Sequence, residues 1–243
     1  MKSGEIYTKN QIDKLGNALI YLCQKMQAVG EPVSKTHLLK LIFIIEEIAV
    51  KKYGIPFFDL RFDVWKLGPV SKDLFVELSD EPDLLASYIS RQVVNGNVYI
   101  QAKKAFSDDE FNDKELELLE EISKRFLYCT AKELINFTHR SDSIWYKTAL
   151  RNGVLDLLEK GQMTTTDIQI PLHEIIEDDE EKLALYKNHK EFMAFSKSLK
   201  SSMPFSLAFP YASGSPGQAG HTKQPHQARP ARKVRQVRHK GRR

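Results

Sequence analysis

Residues 35–53 read KTHLLKLIFIIEEIAVKKY, and the way this stretch folds decides everything around it. Leu38, Leu39, Leu41, Ile42, Phe43, Ile44, Ile45, Ile48 and Ala49 leave little polar face between them. A helix formed here is apolar nearly all round and belongs in the middle of a core. Its ends are marked. Ser34 is placed to accept from the free amides of the first turn. Gly54 suits the left-handed position past the last turn, and Pro56 blocks continuation.

A central helix needs partners, and the flanking sequence supplies them. Upstream, Ile12, Leu15, Leu19, Leu22, Cys23 and Met26 recur at three- and four-residue spacing, which predicts an amphipathic helix over 9–28 that Gly30-Glu31-Pro32 ends. Downstream, residues 60–65 alternate apolar and polar and predict a short extended segment, broken at Gly68-Pro69. Residues 71–78 read as a helix with Val70, Leu74, Phe75 and Leu78 on one side. A further short helix is expected over 82–90, with Pro82 in its first turn.

Asn95-Gly96, between Val93-Val94 and Val98-Tyr99-Ile100, predicts a tight β-hairpin, because both central residues accept positive φ. Strands this short have to lean on helices. Residues 113–127 predict a long helix with Leu116, Leu119, Ile122, Phe126 and Leu127 inward. Thr130 and Glu133 then form a capping box for a helix running to about His139, and another follows over 144–151. Residues 153–177 stay ambiguous: 154–158 could end a helix, and 164–170 look extended. The acidic run 177–181 suits the first turn of a last helix over 179–200, expected to set Leu183, Tyr186, Phe192, Phe195 and Leu199 on one stripe. The fold class that emerges is mainly α with a small β element (α+β), a helical domain over residues 1–200 carrying a β-hairpin.

At 243 residues and 42% hydrophobic composition the chain can bury one sizeable core. Its net charge of +4 hides two unlike parts: nine of the 36 Lys and Arg lie in residues 201–243, leaving 27 against 32 acidic residues before them, a balance of −5. Residues 201–243 turn to Pro, Gly, Ser, Gln, His, Lys and Arg, and such a segment cannot offset its ordering entropy by burial. It is expected to be a disordered tail, dispensable for folding from residue 212 onward. The two cysteines, Cys23 and Cys129, fall in apolar helical patterns and read as buried reduced thiols. The longest apolar runs, 18–23 and 41–45, are far too short for a bilayer, so no membrane partner is expected. Residues 1–10 are charged and polar without the apolar run of a leader, and a cytoplasmic setting is the expectation.

The patterns that carry chemistry are missing. There is no Gly-x-Ser-x-Gly, no Cys-x₂-Cys, no His-Glu-x-x-His and no phosphate-binding glycine loop. His139 could serve as a general base, or could simply close a helix at the negative end of its dipole. The expectation is therefore no enzyme, no metal and no cofactor. What remains is aromatic. Phe57, Phe58, Phe205, Phe209 and Tyr211 are candidate partner-binding residues, whereas Trp65 and Trp145 are expected in the core.

Three motifs also stand in fixed order over about a hundred residues: Lys40-Leu41 with Glu46, then Trp65 ahead of Leu67-Gly68-Pro69-Val70, then Leu134 with Thr138-His139 before Trp145. In that order and spacing the chain resembles, over roughly residues 15–150, the Panacea domain, the SocA-like antitoxin module of bacterial and phage toxin–antitoxin loci. It departs from the usual pattern at Ile44-Ile45, where aromatic or Ala-Asp residues are common, and at Ile144, where a Pro often precedes the Trp. The resemblance implies an antitoxin that neutralises a cognate protein toxin by direct binding. It also implies mainly structural roles for Lys40, Leu41, Trp65, Gly68, Pro69, Val70, Thr138, His139 and Trp145. A reading of another class is a DNA-binding transcriptional autoregulator or phage-associated regulatory protein. It would use the basic residues 229–243 for weak nucleic-acid contacts that salt would screen; against it, no helix-turn-helix with a basic recognition helix is evident.

Overall fold

The computed structural model describes residues 7–202, with side chains through 198. The expected tail and the candidates Phe205, Phe209 and Tyr211 lie outside the described residues.

The helix α2 (Lys35–Tyr53) runs through the centre, with Leu38, Ile42, Phe43, Ile44 and Ile45 fully buried. Both of its ends are made by the residues that the sequence marks. Ser34 Oγ accepts from the His37 amide, and Gly54 adopts φ +69° in the left-handed region. The helix α1 (Lys9–Ala28) is opened by a capping box between Thr8 and Gln11, and buries Ala18, Leu19, Ile20, Leu22, Cys23 and Met26.

Two antiparallel hairpins complete the α+β architecture. The first joins β1 (Asp63–Trp65) to β2 (Gly68–Val70), pairing Val64 with Pro69. Gly68-Pro69 is thus part of a strand and not simply a break. The other edge of β1 is covered by residues 164–170: the Val64 amide donates to the Ile168 carbonyl at 2.9 Å, and the Ile170 amide to the Phe62 carbonyl at 2.8 Å. The extended reading of 164–170 thereby finds its partner about a hundred residues upstream. After β2 comes α3 (Lys72–Ser79), with Leu74 and Leu78 buried.

The second hairpin, β3 (Ile89–Val94) with β4 (Asn97–Ala102), turns at Asn95-Gly96, where φ is +50° and +78°. It does lean on helices. Ile89 and Ile100 enter the core, and the Ile100 amide donates to the Val33 carbonyl at 2.9 Å. The helix expected over 82–90 does not form. The Glu77 carboxylate accepts from the Asp83 and Leu85 amides, both at 3.0 Å, holding a single turn that passes directly into β3.

The remaining elements wrap α2. The helix α4 (Asp113–Phe126) buries Leu118, Leu119, Ile122 and Phe126, while Leu116 and Leu127 are only half-buried. Then come α5 (Ala131–Thr138), capped by Thr130 and Glu133 as expected, α6 (Ile144–Arg151) and the short α7 (Leu155–Glu159). A 3-10 turn over Leu172–Ile176 packs on α2 and leads to α8 (Glu180–Ser202), whose first turn is capped when Asp179 accepts from the Lys182 amide at 3.0 Å.

The stripe expected to face inward on α8 is corrected at Phe192 and Phe195, and the Leu199 side chain lies outside the described residues. Leu183 and Tyr186 are half-buried, but Phe192 and Phe195 are 66% and 61% exposed. The inward side continues instead through His189, Met193 and Lys197, all half-buried. Asp59 takes Lys190 Nζ at 2.5 Å and Lys197 Nζ at 3.9 Å. These ion pairs on the helix flank, invisible to an apolar count, accompany the face that turns in.

Candidate functional site

The motif residues converge although they come from five elements. Lys40 projects from the middle of α2 towards the first hairpin, where its ammonium donates to the Pro69 carbonyl at 2.9 Å. Gly68 sits beside it with φ +95°. A Cβ on Gly68 would lie 2.6 Å from Thr138 Oγ1, 3.1 Å from Lys40 Nζ and 3.3 Å from His139 Nε2. Only a residue without a side chain allows the C-terminal end of α5 to approach β2 so closely.

Thr138 and His139 close α5. Thr138 Oγ1 donates back to the Ile135 carbonyl at 2.9 Å. The His139 ring lies flat on the Trp145 indole, centroids 3.9 Å apart and planes within 2°. Trp145 follows the N-cap Ser143 and is 1% exposed, and its Nε1–H donates to the Trp65 carbonyl at 3.2 Å. The Trp65 indole in turn donates to the Thr166 carbonyl at 3.2 Å, tying the hairpin to the 164–170 segment. Leu41 and Val70 are buried beside these groups.

The electrostatics of this cluster are those of a dry interior. Lys40 is 1% exposed, and burial alone pulls its amine down to about 7 from the ordinary lysine value. Burial, seconded by the nearby Lys40 charge, lowers His139 to about 4, so the imidazole is neutral at neutral pH. Its buried Nε2 has no hydrogen-bond partner. A base or nucleophile has to reach a substrate, and here the lysine, threonine and tryptophan are sealed. What the arrangement does is hold β2, α2, α5 and α6 at fixed distances.

A second polar anchor was missed in the sequence. Glu46, fully buried on α2, accepts from the Phe58 amide at 2.7 Å and the Leu60 amide at 3.3 Å. Burial raises its carboxyl to about 7 against the opposing pull of these amides. The 55–60 segment is wound round this carboxyl, with Asp59 at φ +56°. Phe57 and Phe58, expected as partner-binding residues, are therefore folded inward, 4% and 3% exposed, and their rings meet at 4.6 Å. The signal was present: a Glu inside a helix with no polar face has to find main-chain donors.

The cysteines divide. Cys23 is buried, its thiol pushed up to about 12 by burial, whereas Cys129 is half-buried; both are free. Among the described residues no cluster of three or more His, Cys, Asp or Glu could hold a metal ion, and no helix is long and apolar enough to cross a membrane.

A pH dependence follows from Lys40. Its folded value, about 7, lies below the ordinary lysine value of 10.5, so the unfolded chain binds more protons between those limits. Stability from this group is complete above 10.5, falls as pH drops towards 7 and is gone below that, with a slope of at most about 1.4 kcal/mol per pH unit. Urea unfolding of the wild type and Lys40→Met from pH 7 to 10 should show this slope in the first and its loss in the second. Parallel curves would mean that the amine is solvated.

No curated protein and no solved structure matches the chain. The family model described as "Antitoxin SocA-like, Panacea domain" matches residues 38–146, a stretch that runs from α2 into α6 and holds every residue of the motif cluster.

Proposed function

We propose that this protein is the antitoxin of a toxin–antitoxin system, a non-catalytic cytoplasmic protein that neutralises a partner toxin by binding it directly. The observation that supports this reading is the match of residues 38–146 to an antitoxin family, in a chain whose motif residues meet in a sealed structural cluster. Inhibition by contact needs a stable surface and no reactive group. A lasting complex of this kind buries on the order of 1,200–2,000 Å² in total.

The test is co-expression with the product of the neighbouring gene. That product alone is expected to arrest growth, and growth is expected to return when this protein is present and the two co-purify. A neighbour that is harmless alone, or one that stays toxic beside this protein, ends the reading. The nucleic-acid alternative rests on the basic residues 229–243, and deleting 212–243 separates the two: neutralisation should survive the deletion, and DNA binding should not.

A further inference from the structure

The helix α8 carries two seams. The inward one, Tyr186, His189, Met193 and Lys197, faces the body, with Lys190 on its flank reaching Asp59. The other consists of Leu185, Asn188, Phe192 and Phe195, separated by three, four and three residues. At about 100° per residue it lies more than a third of a turn from the first. All four are open: Leu185 is 41% exposed, Phe192 66% and Phe195 61%, and Asn188 is exposed between them. Glu181 precedes this spacing and position 199 continues it, so the seam repeats every seven residues for the length of the helix. A seven-residue repeat is the pattern by which one helix covers another.

The charges along α8 say which helix fits. Its start is acidic, with Asp178, Asp179, Glu180 and Glu181. Beyond Glu181 the only acid in the sequence is Glu191, against Lys182, Lys187, Lys190, Lys197 and Lys200, of which Asp59 of the same chain takes Lys190 and Lys197. A helix acidic at one end and basic at the other complements a copy of itself laid antiparallel, and opposes one laid parallel. The opposed peptide dipoles favour the same arrangement.

We propose that the outward seam of α8 is a self-association surface, occupied by the α8 of a second copy of this chain in antiparallel orientation about a two-fold axis. With position 190 level with itself, Leu185 meets the partner subunit's Phe195. Asn188 lies across the partner subunit's Phe192, where its amide N–H can point at the ring face. One polar residue in an otherwise apolar seam fixes register and lowers stability. Glu181 then faces the turn that holds the partner subunit's Lys200. The axis makes each contact occur twice, as an isologous interface requires. A single helix pair sits at the lower end of stable interfaces, about 1,200 Å², and dissociation in the micromolar range is expected. This surface is separate from the sealed cluster and holds whether or not the protein is an antitoxin.

Sedimentation velocity on the full chain, from about 1 to about 200 µM, tests it across the expected dissociation range. The wild type should pass from monomer to dimer. Phe192→Glu and Phe195→Glu should each remain monomeric at every concentration, with melting temperatures unchanged because both rings are exposed. Glu181→Lys should weaken the dimer several-fold, and adding Lys200→Glu in the same chain should recover part of the loss. A wild type that stays monomeric throughout overturns the proposal, as does a dimer indifferent to Phe192→Glu. A marked fall in the melting temperature of Phe192→Glu would show that the ring packs on its own body, and the free-seam premise fails. No recovery in the charge-reversed pair would remove the antiparallel register.

Discussion

Trp145→Ala should lose about 3–5 kcal/mol of stability, as other truncations of a fully buried large aromatic do. For a protein of this size that is a fall of about 10 °C in melting temperature. Three things go at once. The indole leaves a cavity at the start of α6, the Trp65 carbonyl loses its donor, and the His139 ring loses the plane on which it lies. Trp145→Phe separates these, because it keeps an aromatic face for His139 and removes only the hydrogen bond and part of the volume. It should cost less than half as much. Urea unfolding followed by circular dichroism reads both, and a Trp145→Ala protein within about 1 kcal/mol of wild type would show that the cluster is not structural. A folded, stable variant that fails the co-expression test of the proposed function would instead place Trp145 at a binding surface.

Gly68→Ala is expected to cost roughly 2–6 kcal/mol, from about 1–3 for holding an L-residue at a positive φ and about 1–3 for overpacking. The φ of +95° lies beyond the left-handed region that Asn or Asp visits, so no ordinary substitution avoids the strain. The clash has a named partner. Thr138 Oγ1 would stand 2.6 Å from the new Cβ, and it is pinned by its bond to the Ile135 carbonyl. Thr138→Ala removes that oxygen, and the double variant should be less destabilised than the sum of the singles. Strict additivity would mean that backbone strain alone accounts for the loss.

Much of this fold could be read locally. The capping box at Thr130 with Glu133, Ser34 ahead of α2, and Asn95-Gly96 in the hairpin each act within four residues, and each formed where the sequence placed it. What could not be read depends on distant groups. Gly68-Pro69 looks like a break until residues 62–66 and 164–170 are seen to pair around it. Phe57 and Phe58 look like surface aromatics until Glu46, on another element, is seen to gather the amides of Phe58 and Leu60. On α8 the flank lysine Lys190 meets an aspartate in a loop more than a hundred residues earlier, a contact that no apolar count shows. The motif residues themselves were all legible, yet their meeting point was not. Spacing along a chain carries no information about which of positions 40, 68, 138 and 145 touch.

The sealed position of the Lys40 cluster bears on how freely the outside of this fold can vary. The residues that identify the domain are spent on internal geometry, with the lysine, the threonine and the second tryptophan almost wholly out of solvent. None of the three is available as a contact point, so the signature names a scaffold. The exposed side chains are tied to the signature by no packing constraint. One interior can stand behind many different exteriors, and the outside can be rewritten while the inside stays as it is.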